Sequence, residues 1–154
     1  MAGALGADNR RKSLDHIGHF NFKVEIEGVT QAAFKNVEGL DAETEIIEFQ
    51  DGDDIQLRKR PGRTKYSNIV LKRGYVSTDE LWKWRETVIK GKVERKSGSI
   101  ILCNDSGGEV MRYNFFEAWP CKWKGMTLDG KGTDVAVEEI ELAVERIERV
   151  QGGG

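Results

Sequence analysis

With 154 residues, a formal net charge of −2 and 32% charged side chains, the chain is long enough to bury one core. It lacks the basic excess of a dedicated nucleic-acid binder. Two cysteines, Cys103 and Cys121, make no disulfide framework. No apolar run follows the basic residues near the N-terminus or reaches membrane-spanning length, so the expectation is a protein made in the cytoplasm, with reduced thiols and no membrane anchoring.

Residues 1–19 are small, Gly-rich and charged, without a usable apolar period, and read as an N-terminal arm. From Phe20 to Ile26 apolar residues fall on even numbers and polar ones on odd, the pattern of a half-buried antiparallel strand. Gly28 turns the chain, Ala32 to Val37 is expected to return, and Gly39 marks the next break. Glu43 to Gln50 reads as a further strand, with Ile46, Ile47 and Phe49 among glutamates.

The run from Asp51 to Gly74 is the most unusual. Asp51, Asp53 and Asp54 are followed by Arg58, Lys59, Arg60, Arg63 and Lys65, with Pro61-Gly62 expected to break regular structure between them. One reading is a polar hairpin with solvated charges. The other is an arm, residues 51–65, whose charges meet a copy of itself or a partner. Thr64 to Lys72 then runs out as a strand.

A helix is predicted over about residues 77–90. Ser77 and Glu80 form a capping box, and Val76 and Leu81 a hydrophobic staple. Gly91 stands where a left-handed cap is favoured. Leu81, Trp82, Trp84, Val88 and Ile89 share one stripe at about 100° per residue, with Arg85 inside it. Arg85 either snorkels past the helix edge or meets a carboxylate on the sheet or a neighbouring subunit.

Ile100 to Cys103 is a short apolar strand with both faces covered, and residues 104–108 carry turn chemistry. The return, Glu109 to Trp123, would exceed the roughly 6-residue norm for strands more than twofold. A bend or bulge near Glu117 or Pro120 is therefore expected, with Pro120 at a sheet edge. This hairpin pairs Cys103 with Val110, not Cys121, and leaves two buried free thiols. Glu138 to Glu148 fits a helix through Ile140, Val144 and Ile147, or a strand through Ile140, Leu142 and Val144, equally well. Gln151 to Gly154 reads as a flexible tail.

Chemical motifs are weak. His16-Ile17-Gly18-His19 spells the HIGH signature of class I aminoacyl-tRNA synthetases, but this chain is too short for their nucleotide-binding sheet, and two histidines do not close a metal site. Gly125 to Thr133 is spaced like a phosphate-binding loop, yet Gly132 stands where Ser or Thr must hold magnesium. No nucleophile sits with a base and an orienting group. No enzyme, cofactor or metal is called for. Arg58 to Lys65 could serve a nucleic-acid-binding adaptor, with Tyr66 available to stack. Segment-by-segment charge balance and long edge strands suit self-association better, through a heterologous interface between copies.

An ordered set of segments resembles a known family. Phe20 to Gly28, Phe34 to Leu40, Arg60-Pro61-Gly62, Tyr66 to Leu71, Leu81 to Trp84, Tyr113-Asn114-Phe115 through Ala118-Trp119-Pro120, and Val137 to Ile147 look like the tail-tube proteins of contractile phages, R-type bacteriocins and extracellular contractile injection systems. The resemblance covers about Phe20 to Val150. It implies a mainly β fold, an antiparallel sandwich or barrel with one flanking helix, and a strand for the ambiguous last element. It further implies six-membered rings stacked into a tube around a lumen for DNA or protein cargo. Sheath, baseplate and tube-terminating proteins are the implied partners, and a virion tail or released particle the destination. The residues expected at the oligomer interface are Asp51, Asp53, Asp54, Arg58, Lys59, Arg60, Arg63 and Lys65.

Overall fold

Strict alternation makes β1 (Asn21–Ile26) a strand with Val24 and Ile26 buried and the odd-numbered residues exposed. The computed structural model describes residues 21–32, 34–74, 79–126, 130 and 137–151. The arm expected over residues 1–19 lies outside them, as do Val76 and Ser77. After the turn at Gly28 the chain returns as β2 (Val29–Ala32), earlier than the expected Ala32 to Val37, and then forms β3 (Asn36–Glu38) on a different neighbour. The following strands are β4 (Ala42–Phe49), β5 (Arg58–Tyr66) and β6 (Ile69–Gly74). Helix α1 (Glu80–Ile89) separates these from β7 (Lys96–Cys103), β8 (Glu109–Lys124), β9 (Val137–Ala143) and β10 (Arg146–Gln151).

The main sheet has the order β2-β1-β7-β8-β9-β6-β3, with β10 also alongside β8, and every pairing is antiparallel. Its pivot is β8. Residues 111–116 pair with β10, and residues 119–124 with β9. Between the two halves Glu117 takes a left-handed φ of 55°, which re-aims the strand. Phe115 is buried before this bulge and Ala118 and Pro120 after it, so the core-facing parity changes from odd to even. The register nevertheless continues from Trp119↔Ala143 to Phe116↔Arg146. The last segment is thus two strands, broken at Val144-Glu145, that follow β8 around its bend. Arg95 braces the corner, its Nη1 lying 2.8 Å from Glu145 Oε1 and 3.4 Å from the Glu117 carbonyl.

The core joins Val24, Ile26, Ile69, Leu71, Ile100, Phe115, Ala118, Ile140 and Leu142 of the sheet with Leu81 and Trp84 of α1. The helix starts later than predicted, with Asp79 at the N-cap and no side-chain cap bond. It ends as expected at Gly91 (φ 78°), where Gly91 N bonds Val88 O and Lys92 N bonds Thr87 O. The stripe is narrower than predicted. Val88 is half-buried, Ile89 is 60% exposed, and Trp82 meets Trp123 edge to face at 5.2 Å between centroids. Among the described residues Arg85 meets no carboxylate and reaches the Pro120 carbonyl instead, at 3.5 Å. The one charged side chain in the core of the described residues is Arg73, 4% exposed, with its Nε 3.2 Å from Glu138 Oε2.

Both cysteines are free, but Cys103 is opposite Glu109, because a register shift after Leu102 moves it off Val110. Cys121 is half-buried rather than buried. Burial pushes its thiol above the ordinary range, and the Glu141 carboxylate adds to this. Alkylation of Cys121 in the folded protein is expected to be slow at neutral pH. It should accelerate only as the pH rises beyond the free-thiol value of about 8.5, which a pH series of iodoacetamide labelling checks.

Candidate functional site

The charged arm is one half of a two-stranded ribbon that no part of the core covers. β4 and β5 pair only with each other among the described strands, and nearly every residue in both is exposed. Their register, from Ala42↔Tyr66 to Phe49↔Arg58, continues the β3–β6 register, from Asn36↔Lys72 to Glu38↔Val70. The ribbon is therefore a prolongation of one flank of the main sheet. With 8 and 9 residues per strand and about 3.3 Å per residue, it extends some 25–30 Å. Pro61 and Gly62 do not break it. Pro61 lies opposite Ile46, and a bulge in β5 itself, with Gly62 and Arg63 against the single Glu45, absorbs the irregularity. The strand expected over Thr64 to Lys72 is instead two, parted at Ser67-Asn68.

That parting is a built junction. Ser67 Oγ donates to the Gly39 carbonyl and accepts from Asp41 N at 3.2 Å, and Ser67 N bonds Asp41 O at 3.1 Å. Gly39 has φ 92°, and a Cβ there would collide with the Asn68 carbonyl oxygen. Gly39→Ala is expected to lower stability by about 1–3 kcal/mol through backbone strain and overpacking. A denaturant titration with an unchanged midpoint would show that the junction yields freely.

All eight residues expected at the interface lie on this ribbon. Asp54 and Arg58 pair with each other at 2.8 Å. The Arg58 guanidinium and the Gln56 N–H hold the Asp54 carboxyl below the usual carboxylate range. Asp51 caps the tip through a bond from Asp54 N to its carbonyl at 2.9 Å, and Asp53 sits exposed in the same turn. Arg60 stacks on Phe49, its guanidinium carbon 5.5 Å from the ring centroid. Lys59 lies opposite Glu48 and Lys65 opposite Glu43, while Arg63 and Lys65 border a small cleft with Glu43 and Glu45. The basic strand thus meets the tip through the Arg58–Asp54 pair and lies across from the glutamates of β4 along the rest of its length.

Sequence reasoning passed over Ile55 and Leu57, and gave Ile46, Ile47 and Phe49 no part in the interface. Ile55 is 100% exposed and Leu57 50% at the tip, and Ile46, Ile47 and Phe49 are exposed along β4 leading up to it. Isolated exposed apolar residues are ordinary, but a cluster at the end of a projecting ribbon marks a contact surface. The available signal was the alternation of Ile55 and Leu57 just ahead of the basic run. Among the described residues no group of His, Cys, Asp or Glu could hold a metal, and no helix is long and apolar enough to cross a membrane. The phosphate-loop-like stretch falls between antiparallel β8 and β9, with only Gly125, Met126 and Gly130 described.

The family model of the T4-like virus tail tube protein gp19 matches residues 18–148. The chain belongs to this tail tube family. It is 32% identical to a chain of the PVC sheath–tube complex, an extracellular contractile injection system in its extended state. The match covers 85% of this chain and 88% of that one, with a TM-score of 0.77. It is 27% identical to a chain of the anti-feeding prophage tube-terminating cap, over 85% of this chain and 88% of that one, again at TM-score 0.77. A structure of Hcp1 from Flavobacterium johnsoniae, 20% identical over 85% of this chain and 95% of that one at TM-score 0.52, shares the fold. No curated protein sequence matches the chain significantly. This tail tube protein is a structural subunit of the inner tube of a contractile tail or injection system.

Proposed function

We propose that residues 20–150 form one tube-type unit that assembles into six-membered rings stacked around a lumen, with the β4–β5 ribbon as a contact between copies. The observation that carries this reading is an exposed, apolar-tipped ribbon on a member of the tail tube family. Its strands carry opposite charge, which suits a heterologous contact, one surface meeting a different surface of the next copy. Sheath, baseplate and tube-terminating proteins are the further partners, as the relatives' assemblies suggest. The lumen carries the delivered DNA or protein. Assembly takes place in the cytoplasm of the producing cell, and the tube leaves in a tail or released particle. The role is mechanical rather than enzymatic.

The adaptor alternative loses ground because the basic strand lies against the glutamates of β4, where phosphate would have to compete. Negative-stain microscopy of the concentrated protein separates the two. Hollow rods of uniform width are expected. A protein that stays monomeric yet binds DNA with steep salt dependence would overturn the tube reading.

A further inference from the structure

The tip of the ribbon is a tight turn, closed by the bond from Asp54 N to the Asp51 carbonyl and by Gln50 Nε2 donating to the Asp54 carbonyl at 2.8 Å. Asp51 and Gly52 are both exposed, and beyond its chain neighbours no atom lies within 4 Å of where a Cβ on Gly52 would stand. Among the described residues neither the Asp51 carboxyl nor the Gly52 N–H is held by a hydrogen bond or ion pair. A free carboxyl thus precedes an amide nitrogen that is both unbonded and unhindered. The neighbouring aspartates differ. The nitrogen after Asp53 is that of Asp54, already donated to the Asp51 carbonyl. The Asp54 carboxylate is pinned by Arg58 Nε at 2.8 Å and Gln56 N at 3.1 Å, and the β-branched Ile55 follows it. The nitrogen after Asp41 belongs to Ala42, inside the β4–β5 ladder.

We propose that Asp51 is a site of spontaneous conversion to isoaspartate, and that the conversion retires subunits that wait too long unassembled; the second half rests on the tube-subunit reading. The Gly52 nitrogen attacks Cγ of the protonated Asp51 carboxyl. The bond from Cγ to its hydroxyl breaks, and water leaves with the nitrogen's proton, closing a cyclic succinimide. Water then adds to the former α-carbonyl, the bond from that carbon to the Gly52 nitrogen breaks, and the main chain runs on through Cβ and Cγ. Water is the sole co-reactant, released in the first step and taken up in the second. The carbonyl that accepts from Asp54 N becomes a side-group carboxylate, and the turn gains a backbone methylene. The tip can no longer close as before, so Ile55 and Leu57 leave the positions from which they meet the next copy. Docking early shields the turn, because a tip packed between copies has no room to fold into the ring.

Trypsin releases the turn on the peptide Asn36–Arg58, whereas the chain's other Asp-Gly step, Asp129-Gly130, falls on a separate peptide. Ageing the soluble subunit for weeks at neutral pH and physiological temperature should divide Asn36–Arg58 into two species of equal mass. Fragmentation should place isoaspartate at position 51, with a transient form lighter by one water. Gly52→Ala should slow the conversion about tenfold by crowding the nitrogen, and it leaves the fold intact, because Gly52 has no left-handed φ and stands in open space. No isomer at position 51, or equal conversion at Asp53 or Asp54, overturns the site. Offering aged subunit to preformed tubes of fresh protein tests the consequence. The altered form should be at least tenfold scarcer in the sedimented tubes than in the supernatant. An equal share in both overturns the effect on assembly and leaves the site standing. Fresh protein that forms no tubes overturns the tube reading, and the effect on assembly with it, while the peptide map still decides the site.

Discussion

Phe115→Ala should cost about 3–5 kcal/mol of folding stability. Phe115 has no solvent exposure and sits at the last regular position of β8 before the bulge. It lies opposite Gly98 of β7 on one side and Ile147 of β10 on the other. Removing the ring opens a void where both strands flank β8, and the ladders on either side resist collapse into it. Gly98 is fitted to this ring, since a Cβ there would strike Phe115 and the Glu25 carbonyl. Gly98→Ala alone should therefore also destabilise, by about 1–3 kcal/mol from overpacking. In the double variant the added methyl enters the space the ring leaves, so its loss should be smaller than the sum of the two single losses. Urea titrations of the four proteins check this. Strict additivity would mean that ring and glycine do not share a site.

Truncating the ribbon tip should have the opposite profile: little effect on the subunit and a large one on assembly. Ile55 and Leu57 are exposed, so Ile55→Ser with Leu57→Ser should change subunit stability by no more than about 0.5 kcal/mol. If each side chain is fully buried between copies it contributes about 1.5–3 kcal/mol per contact, and the loss repeats at every subunit of a tube. Sedimentation and negative-stain microscopy should find folded subunits and few or no tubes. Tubes of normal length from this variant would remove the tip from the interface. Reversing the basic run Arg58, Lys59, Arg60 and Arg63 to glutamate is a less clean probe. Lys59 lies opposite Glu48, so the reversal sets like charges across the ribbon and weakens it from within.

Where a local pattern had one physical cause, the sequence was a good guide. The parity of Phe22, Val24 and Ile26 reflects one buried face, and the over-long run from Glu109 did require a bulge, found at Glu117. The failures came where distant segments decide. Pro61-Gly62 looked like a break, yet the strand keeps its pairing with β4 by bulging at Gly62-Arg63 against Glu45. Glu138 to Glu148 fitted two periods because its strand identity comes from lying along β8. The ribbon was legible as charged but not as apolar-tipped. Its charges dominated the composition, and only exposure in the fold distinguishes Ile55 from a core isoleucine.

The succession of β9 and β10 along β8 has a mechanical consequence. Backbone bonds between antiparallel strands lie across the strand direction, so a pull along β8 loads them side by side and they must fail together. A pull that peels the strands apart breaks them singly. The pairing reaches from Met111 to Lys124, around the corner braced by Arg95, so β9 and β10 together act as a tie between both halves of the sheet. A subunit driven along that axis resists in shear, its stiff direction. Force spectroscopy pulling along β8 should meet a higher rupture force than pulling across it.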